Sequence, residues 1–98
     1  MTINKTKNGG ELIIALEGRL DTTTAPQLEE ELKAALPGVT ALIWDMSSLA
    51  YLSSAGLRVL LAAQKQMNKQ GSMKVTNVNE TIMDIFEVTG FVDVLTIE

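Results

Sequence analysis

The sequence contains no cysteine and no histidine. The first absence excludes disulfides and all thiol chemistry. The second removes the commonest general base and the commonest transition-metal ligand together. Aromatic residues are scarce, limited to Trp44, Tyr51, Phe86 and Phe91, so any core must be aliphatic. No apolar run reaches the roughly 18 residues that a membrane-spanning helix requires. The opening residues, MTINKTKNGG, lack the apolar segment of a signal peptide, so a cytoplasmic protein is expected. Basic residues number 8 against 12 acidic ones, for a net charge of −4. Without a basic cluster, direct nucleic-acid binding is excluded, because such binding needs several phosphate contacts.

What is present is enough for one domain over residues 1–98, with 46% of the chain hydrophobic. Thr2 to Lys7 alternates weakly and reads as an edge strand whose lysines discourage pairing with another molecule. Asn8-Gly9-Gly10 is a turn signal, and Glu11 to Glu17 is an aliphatic second strand, antiparallel to the first and central in the sheet. Thr24 with Gln27 has the spacing of a capping box, and Pro26 suits a first helical turn. A helix is therefore predicted to about Leu36, with Leu28, Leu32, Ala35 and Leu36 on its inner face. Pro37-Gly38 ends it.

Val39 to Asp45 reads as a third strand, followed by a loop through Ser53 and a second helix from Ala55 to about Lys69. Leu57, Leu60, Leu61 and Gln64 form one stripe of that helix, yet Val59, Ala62 and Ala63 are apolar too. Either both sides are covered within the domain or one is kept for a partner. Gly71 is the expected stop. Ser72 to Asn77 is a fourth strand, Asn79 an N-cap, and Glu80 to Thr89 a third helix with Ile82, Ile85 and Phe86 inward. Gly90 suits a left-handed C′ position that lets Phe91 pack back on Phe86. Val92 to Ile97 reads as a last strand. The order β-β-α-β-α-β-α-β implies an α/β fold with a mixed, mostly parallel sheet of about five strands and helices mainly on one face.

The stretch with chemical interest is Ser53-Ser54-Ala55-Gly56 at the start of the second helix. Ser54 is placed to be the N-cap, its hydroxyl accepting from Gly56 or Leu57. A helix start also tolerates an added anion. A serine there is either a plain cap or a site that can be phosphorylated. A hydrolase elbow needs glycine two residues to either side of the serine, and Leu52 stands at one of those positions. With no histidine and no Ser-x-x-Lys spacing there is no base for it. No phosphate-cradling Gly-Lys-Ser/Thr motif occurs. The chain is therefore not expected to be an enzyme or to hold a metal or cofactor.

The run from Asp45 to Leu61, DMSSLAYLSSAGLRVLL, resembles the signature of STAS domains of the anti-sigma-factor-antagonist type. The segment Glu17 to Ala25, EGRLDTTTA, is similar to the loop after the second strand in that family, and the element order agrees over the whole chain. The resemblance implies a regulatory protein whose dephosphorylated form captures an anti-sigma factor, itself a serine kinase, and so frees a sigma factor. Phosphorylation of one serine ends the capture and a serine phosphatase restores it. Position by position that serine is Ser54, with Ser53 the second candidate. Ser53 stands where many members have Asp, and Asp21 matches an acidic residue lying near the phosphorylated serine. The implied partner surface comprises Asp21, Thr22, Thr23, Ser53, Ser54, Ala55, Gly56, Arg58, Val59 and Ala62. Arg58 replaces a frequent glycine and can reach back toward a phosphate on Ser54. A monomer is expected, without membrane contact. The alternative is a non-switching STAS scaffold subunit of a lipid-transport or stress-signalling complex.

Overall fold

The computed structural model describes residues Met1–Glu98. Strand β1 (Thr2–Asn8) turns at Gly9 into β2 (Glu11–Leu20), and helix α1 (Ala25–Ala35) leads to β3 (Ala41–Leu52). Helix α2 (Ser54–Gln70), strand β4 (Ser72–Thr76) and helix α3 (Glu80–Thr89) follow, and a single 3-10 turn spans Phe91–Asp93. The sheet order is β1-β2-β3-β4. β1 runs antiparallel to β2, and the pairs β2/β3 and β3/β4 are parallel.

Strand alternation decides which face is covered. On β2, Leu12, Ile14, Leu16 and Leu20 are buried while Ile13 and Ala15 between them are half-buried. On β3, Leu42, Trp44 and Met46 continue the same face. Helices α1 and α2 add Leu28, Leu32, Leu57, Leu60 and Met67, and α3 adds Ile82 and Phe86, to one cluster of 24 buried apolar residues. Val59 and Ala63 are covered within the chain, 5% and 3% exposed, whereas Arg58 and Ala62 on the same half of α2 stay exposed. Leu61, expected in the inner stripe, is only half-buried.

Two expectations about the sheet are corrected. The stretch Met46 to Leu52 is not a loop: β3 continues through it to Leu52. Register shifts between Ala15 and Glu17, and between Gly18 and Arg19, each match a β2 step to one extra residue on β3. These bulges change the buried spacing on β3 from two to three, so Met46, Leu49 and Leu52 all face inward. That irregular period is why the segment did not read as a strand. The fifth strand does not form either, and the sheet has four. Val92 lies in the 3-10 turn, and the tail keeps one parallel bridge, Val75 with Ile97. The Val75 amide donates to Thr96 and the Glu98 amide to Val75. Gly90, at φ 80°, takes the left-handed turn that ends α3, as glycine readily does.

Side chains tie the middle of β3 to the C-terminal end of β4. Asp45 accepts hydrogen bonds from the Ser47 amide at 3.0 Å and from Asn77 Nδ2 at 3.2 Å. These bonds, led by the Ser47 amide, hold its carboxyl below the usual carboxylate range. Asn79 caps α3 by accepting from the Ile82 amide at 3.0 Å, and its Nδ2 donates to the Leu49 carbonyl at 2.8 Å. One side chain therefore both starts α3 and fastens it to the far end of β3. Asn79→Ala removes both bonds and is expected to destabilise the fold by about 1–2 kcal/mol, read as a lower urea midpoint with an unchanged slope.

Candidate functional site at the start of helix α2

The site is assembled by the parallel pairing of β2 and β3. Leu20 and Leu52 are register partners, and the Ser53 amide donates to the Leu20 carbonyl at 2.9 Å. The residues that follow, Asp21 on one segment and Ser54 on the other, are thus brought to one corner of the molecule. Gly56 permits this approach. A Cβ built on it would lie 2.7 Å from Leu20 Cγ and 2.7 Å from Leu52 Cδ1, closer than real side chains stand.

The two serines divide the roles differently from the sequence expectation. Ser53, not Ser54, is the N-cap of α2: its backbone is extended and its Oγ accepts from the Gly56 amide at 3.4 Å. Capping requires a non-helical residue, and the strand runs up to Ser53's neighbour, so Ser53 alone meets the requirement. Ser54 is already the first helical residue; it is exposed, and its hydroxyl has no hydrogen-bond partner within the chain.

Asp21 stands at the end of β2. Its Oδ1 accepts from the Thr23 hydroxyl at 2.7 Å, the Thr23 amide at 3.0 Å and the Thr24 amide at 3.2 Å. The Thr23 hydroxyl is the largest reason its carboxyl titrates below the usual range, with the Thr23 and Thr24 amides adding to it against some desolvation. The expected Thr24–Gln27 capping box is absent. Thr24 makes no side-chain cap, and its Oγ1 instead donates to the Arg19 carbonyl at 2.8 Å and accepts from the Asp21 amide at 2.8 Å. Asp21 therefore organises the turn into α1 that Thr24 was expected to begin.

Arg19 was not anticipated at this corner. Its guanidinium stacks over the Tyr51 ring at 4.3 Å, and its Nε lies 3.7 Å from Asp21 Oδ2. The stack follows from the register pairing of Arg19 with Tyr51, which requires the bulges of β3 and so could not be read from spacing.

Beyond Ser54 a groove of about 390 Å³ opens between α1 and α2, lined by Thr22, Ala25, Pro26, Ala55, Arg58 and Val59 with Glu29. A second hollow of about 280 Å³ continues it past Val59 and Glu29 to Leu32, Leu36, Ala62 and Gln66. Of the ten residues expected to face a partner, Thr22, Thr23, Ser54, Arg58 and Ala62 are exposed, and Asp21, Ser53 and Ala55 are half-buried. Gly56 and Val59 are buried. Gly56 serves the packing of α2 on Leu20 and Leu52, and Val59 reaches solvent only as the groove's floor. No group of three or more acidic side chains is placed to hold a metal ion.

This architecture has known counterparts. The STAS domain family model matches residues 2–98, and the chain belongs to that family. BtrV of Bordetella bronchiseptica is 35% identical over 96 residues, covering 96% of this chain and 83% of BtrV. The anti-sigma-B factor antagonist of Bacillus subtilis is 28% identical over 98 residues, covering 99% and 90%. Among solved structures, an anti-sigma factor antagonist from Mycobacterium paratuberculosis superposes with a TM-score of 0.88 at 25% identity, over 98% of this chain and 83% of that one. The unphosphorylated form of the anti-sigma factor antagonist SpoIIAA shares the fold with a TM-score of 0.85 at 20% identity, over 99% and 88%.

The serine assignment separates two substitutions. Ser53→Ala is expected to lower stability by about 0.5–1 kcal/mol, and Ser54→Ala to stay within about 0.5 kcal/mol of the parent, both by urea unfolding. Gly56→Ala overpacks Leu20 and Leu52 and is expected to lose about 1–3 kcal/mol in the same assay. The depressed carboxyls of Asp21 and Asp45 stabilise the fold fully above their unfolded-state values, and that contribution is lost as pH falls through the folded ones. Stability is therefore expected to hold from neutral down to about pH 5 and to fall below about pH 4. Asp45→Asn should make that acid limb shallower.

Proposed function

We propose that the chain is an anti-sigma factor antagonist switched at Ser54. With Ser54 unmodified it captures an anti-sigma factor that is also a serine kinase, and a sigma factor is released. Phosphorylation of Ser54 by that kinase ends the capture, and a serine phosphatase reverses it. The switch works in the cytoplasm, with the chain acting as a monomer.

The observation that carries this reading is a serine hydroxyl that is exposed and unbonded at the first turn of α2, next to Ala55, which lines the α1–α2 groove. Ser53 suits the role less, because its hydroxyl is engaged in the cap and half-buried. A phosphate adds close to two negative charges with strong hydration. On Ser54 it would join the Asp21 carboxylate at one corner and oppose any partner resting there, through like-charge repulsion and through the cost of burying a dianion. A micromolar complex is held by roughly 8 kcal/mol, so losing a few of those dissociates it. The helix start meanwhile tolerates the anion, so the phosphoprotein stays folded. SpoIIAA, which shares the fold, is known in a phosphorylated form, and the relatives named above are consistent with a binding protein in place of a catalyst.

Incubation with the cognate kinase and ATP should give a singly phosphorylated product, mapped to Ser54 by mass spectrometry. Ser54→Asp should weaken binding of the anti-sigma factor at least tenfold by calorimetry while shifting Tm by no more than about 2 °C. Modification elsewhere, or unchanged affinity, would sink the proposal. A pull-down that recovers transporter subunits and no kinase would favour a scaffold role.

A further inference from the structure

We propose that Arg58 is the side chain that receives the phosphate: when Ser54 is modified, the guanidinium leaves the mouth of the α1–α2 groove and pairs with it. This rests on Ser54 being the modified residue.

Three observations converge. Arg58 lies four residues after Ser54 on α2, the spacing at which side chains meet, and with the anion nearer the N-terminus, the better of the two orders. It is exposed and has no ion pair, whereas Arg19, the other cation at this corner, is held by Asp21 and by the face of Tyr51. The carboxylate sharing the groove with Arg58 is Glu29, and Glu29 pairs with Lys33 at 3.5 Å. Arg58 is therefore a planar, permanently charged fork with no ion pair of its own, one turn from the hydroxyl. A guanidinium suits the oxygens of a phosphate better than an ammonium does.

The pairing gives the modification a second effect. In the unmodified chain Arg58 lines the groove and can attract an acidic group of a bound partner. In the modified chain that attraction is spent within the molecule. Release then follows from a lost counter-charge as well as from added repulsion, and the phosphate is partly neutralised where it sits.

The test is phosphorus NMR on the full chain with phosphoserine placed at position 54 by genetic encoding, so that no kinase is needed. The second ionisation of a phosphoserine lies near pH 6. It should lie lower in the parent than in Arg58→Gln by about 0.3 unit, the size of one exposed i, i+4 charge pair. Arg58→Lys should restore part of the shift, and Arg19→Gln should leave the parent value unchanged. Equal titrations in the parent and Arg58→Gln would overturn the proposal, as would a shift that disappears in Arg19→Gln instead. Arg58 is exposed, so these variants fold. A kinase that ignores Ser54 defeats the switch but not the pairing, and equal titrations defeat the pairing alone.

Discussion

The 2.9 Å hydrogen bond from the Ser53 amide to the Leu20 carbonyl joins the residue that follows β3 to the last residue of β2, its parallel neighbour, and fixes where α2 begins. Parallel strands deliver their C-terminal ends to the same side of a sheet, and open α/β sheets use that side for binding. Here it brings together two segments remote in sequence, the Asp21 turn and the Ser54 helix start. Without a side chain at Gly56 the helix can lie directly on Leu20 and Leu52. The α1–α2 groove, the Arg19–Tyr51 stack and the exposed Ser54 hydroxyl all inherit their positions from that contact.

The adjacent serines divide two situations at one helix start: a hydroxyl bonded as cap and a hydroxyl left free. A cap hydroxyl is committed to the backbone, and removing it loosens the helix. A hydroxyl one residue further along has no such duty. Placing the cap on Ser53 leaves Ser54 available without weakening α2. Asp21 is arranged in a related way: its Oδ1 is consumed by Thr23 and Thr24, so the negative charge is held at one place beside the helix start.

Much of this was legible in the residues. The period of Leu28 and Leu32, the Asn8-Gly9-Gly10 turn, the Asn79 cap and the Gly90 stop each rest on local rules, and each element stands where those rules put it. The misreadings share a cause, which is that the deciding partner is distant in sequence. Ser47 to Leu52 lacks strand periodicity, yet β2 pairs with it through two bulges. Ser53 and Ser54 are equivalent as sequence, and only the strand ending beside Ser53 makes it the cap. Thr24 and Gln27 have capping-box spacing, but Asp21 takes the Thr24 amide, and the Thr24 hydroxyl is engaged by the Asp21 amide and the Arg19 carbonyl. Val92 to Ile97 has strand composition, yet the turn after Gly90 uses up its first residues and β4 accepts it at a single bridge. At the corner itself, Asp21 and Ser54 were legible by resemblance; the stacked Arg19 required the register.

That single bridge has a consequence for the sheet's outer margin. β4 is five residues long, and the amide and carbonyl of its fourth residue, Val75, are both taken by the tail, with Lys74 clasping Glu98 at 3.2 Å. A strand from a neighbouring molecule would need those same backbone groups to add itself to the rim. The last three residues thus act as a stopper on the β4 rim: they contribute little to the core, but they occupy backbone groups through which growth from molecule to molecule could begin at that edge.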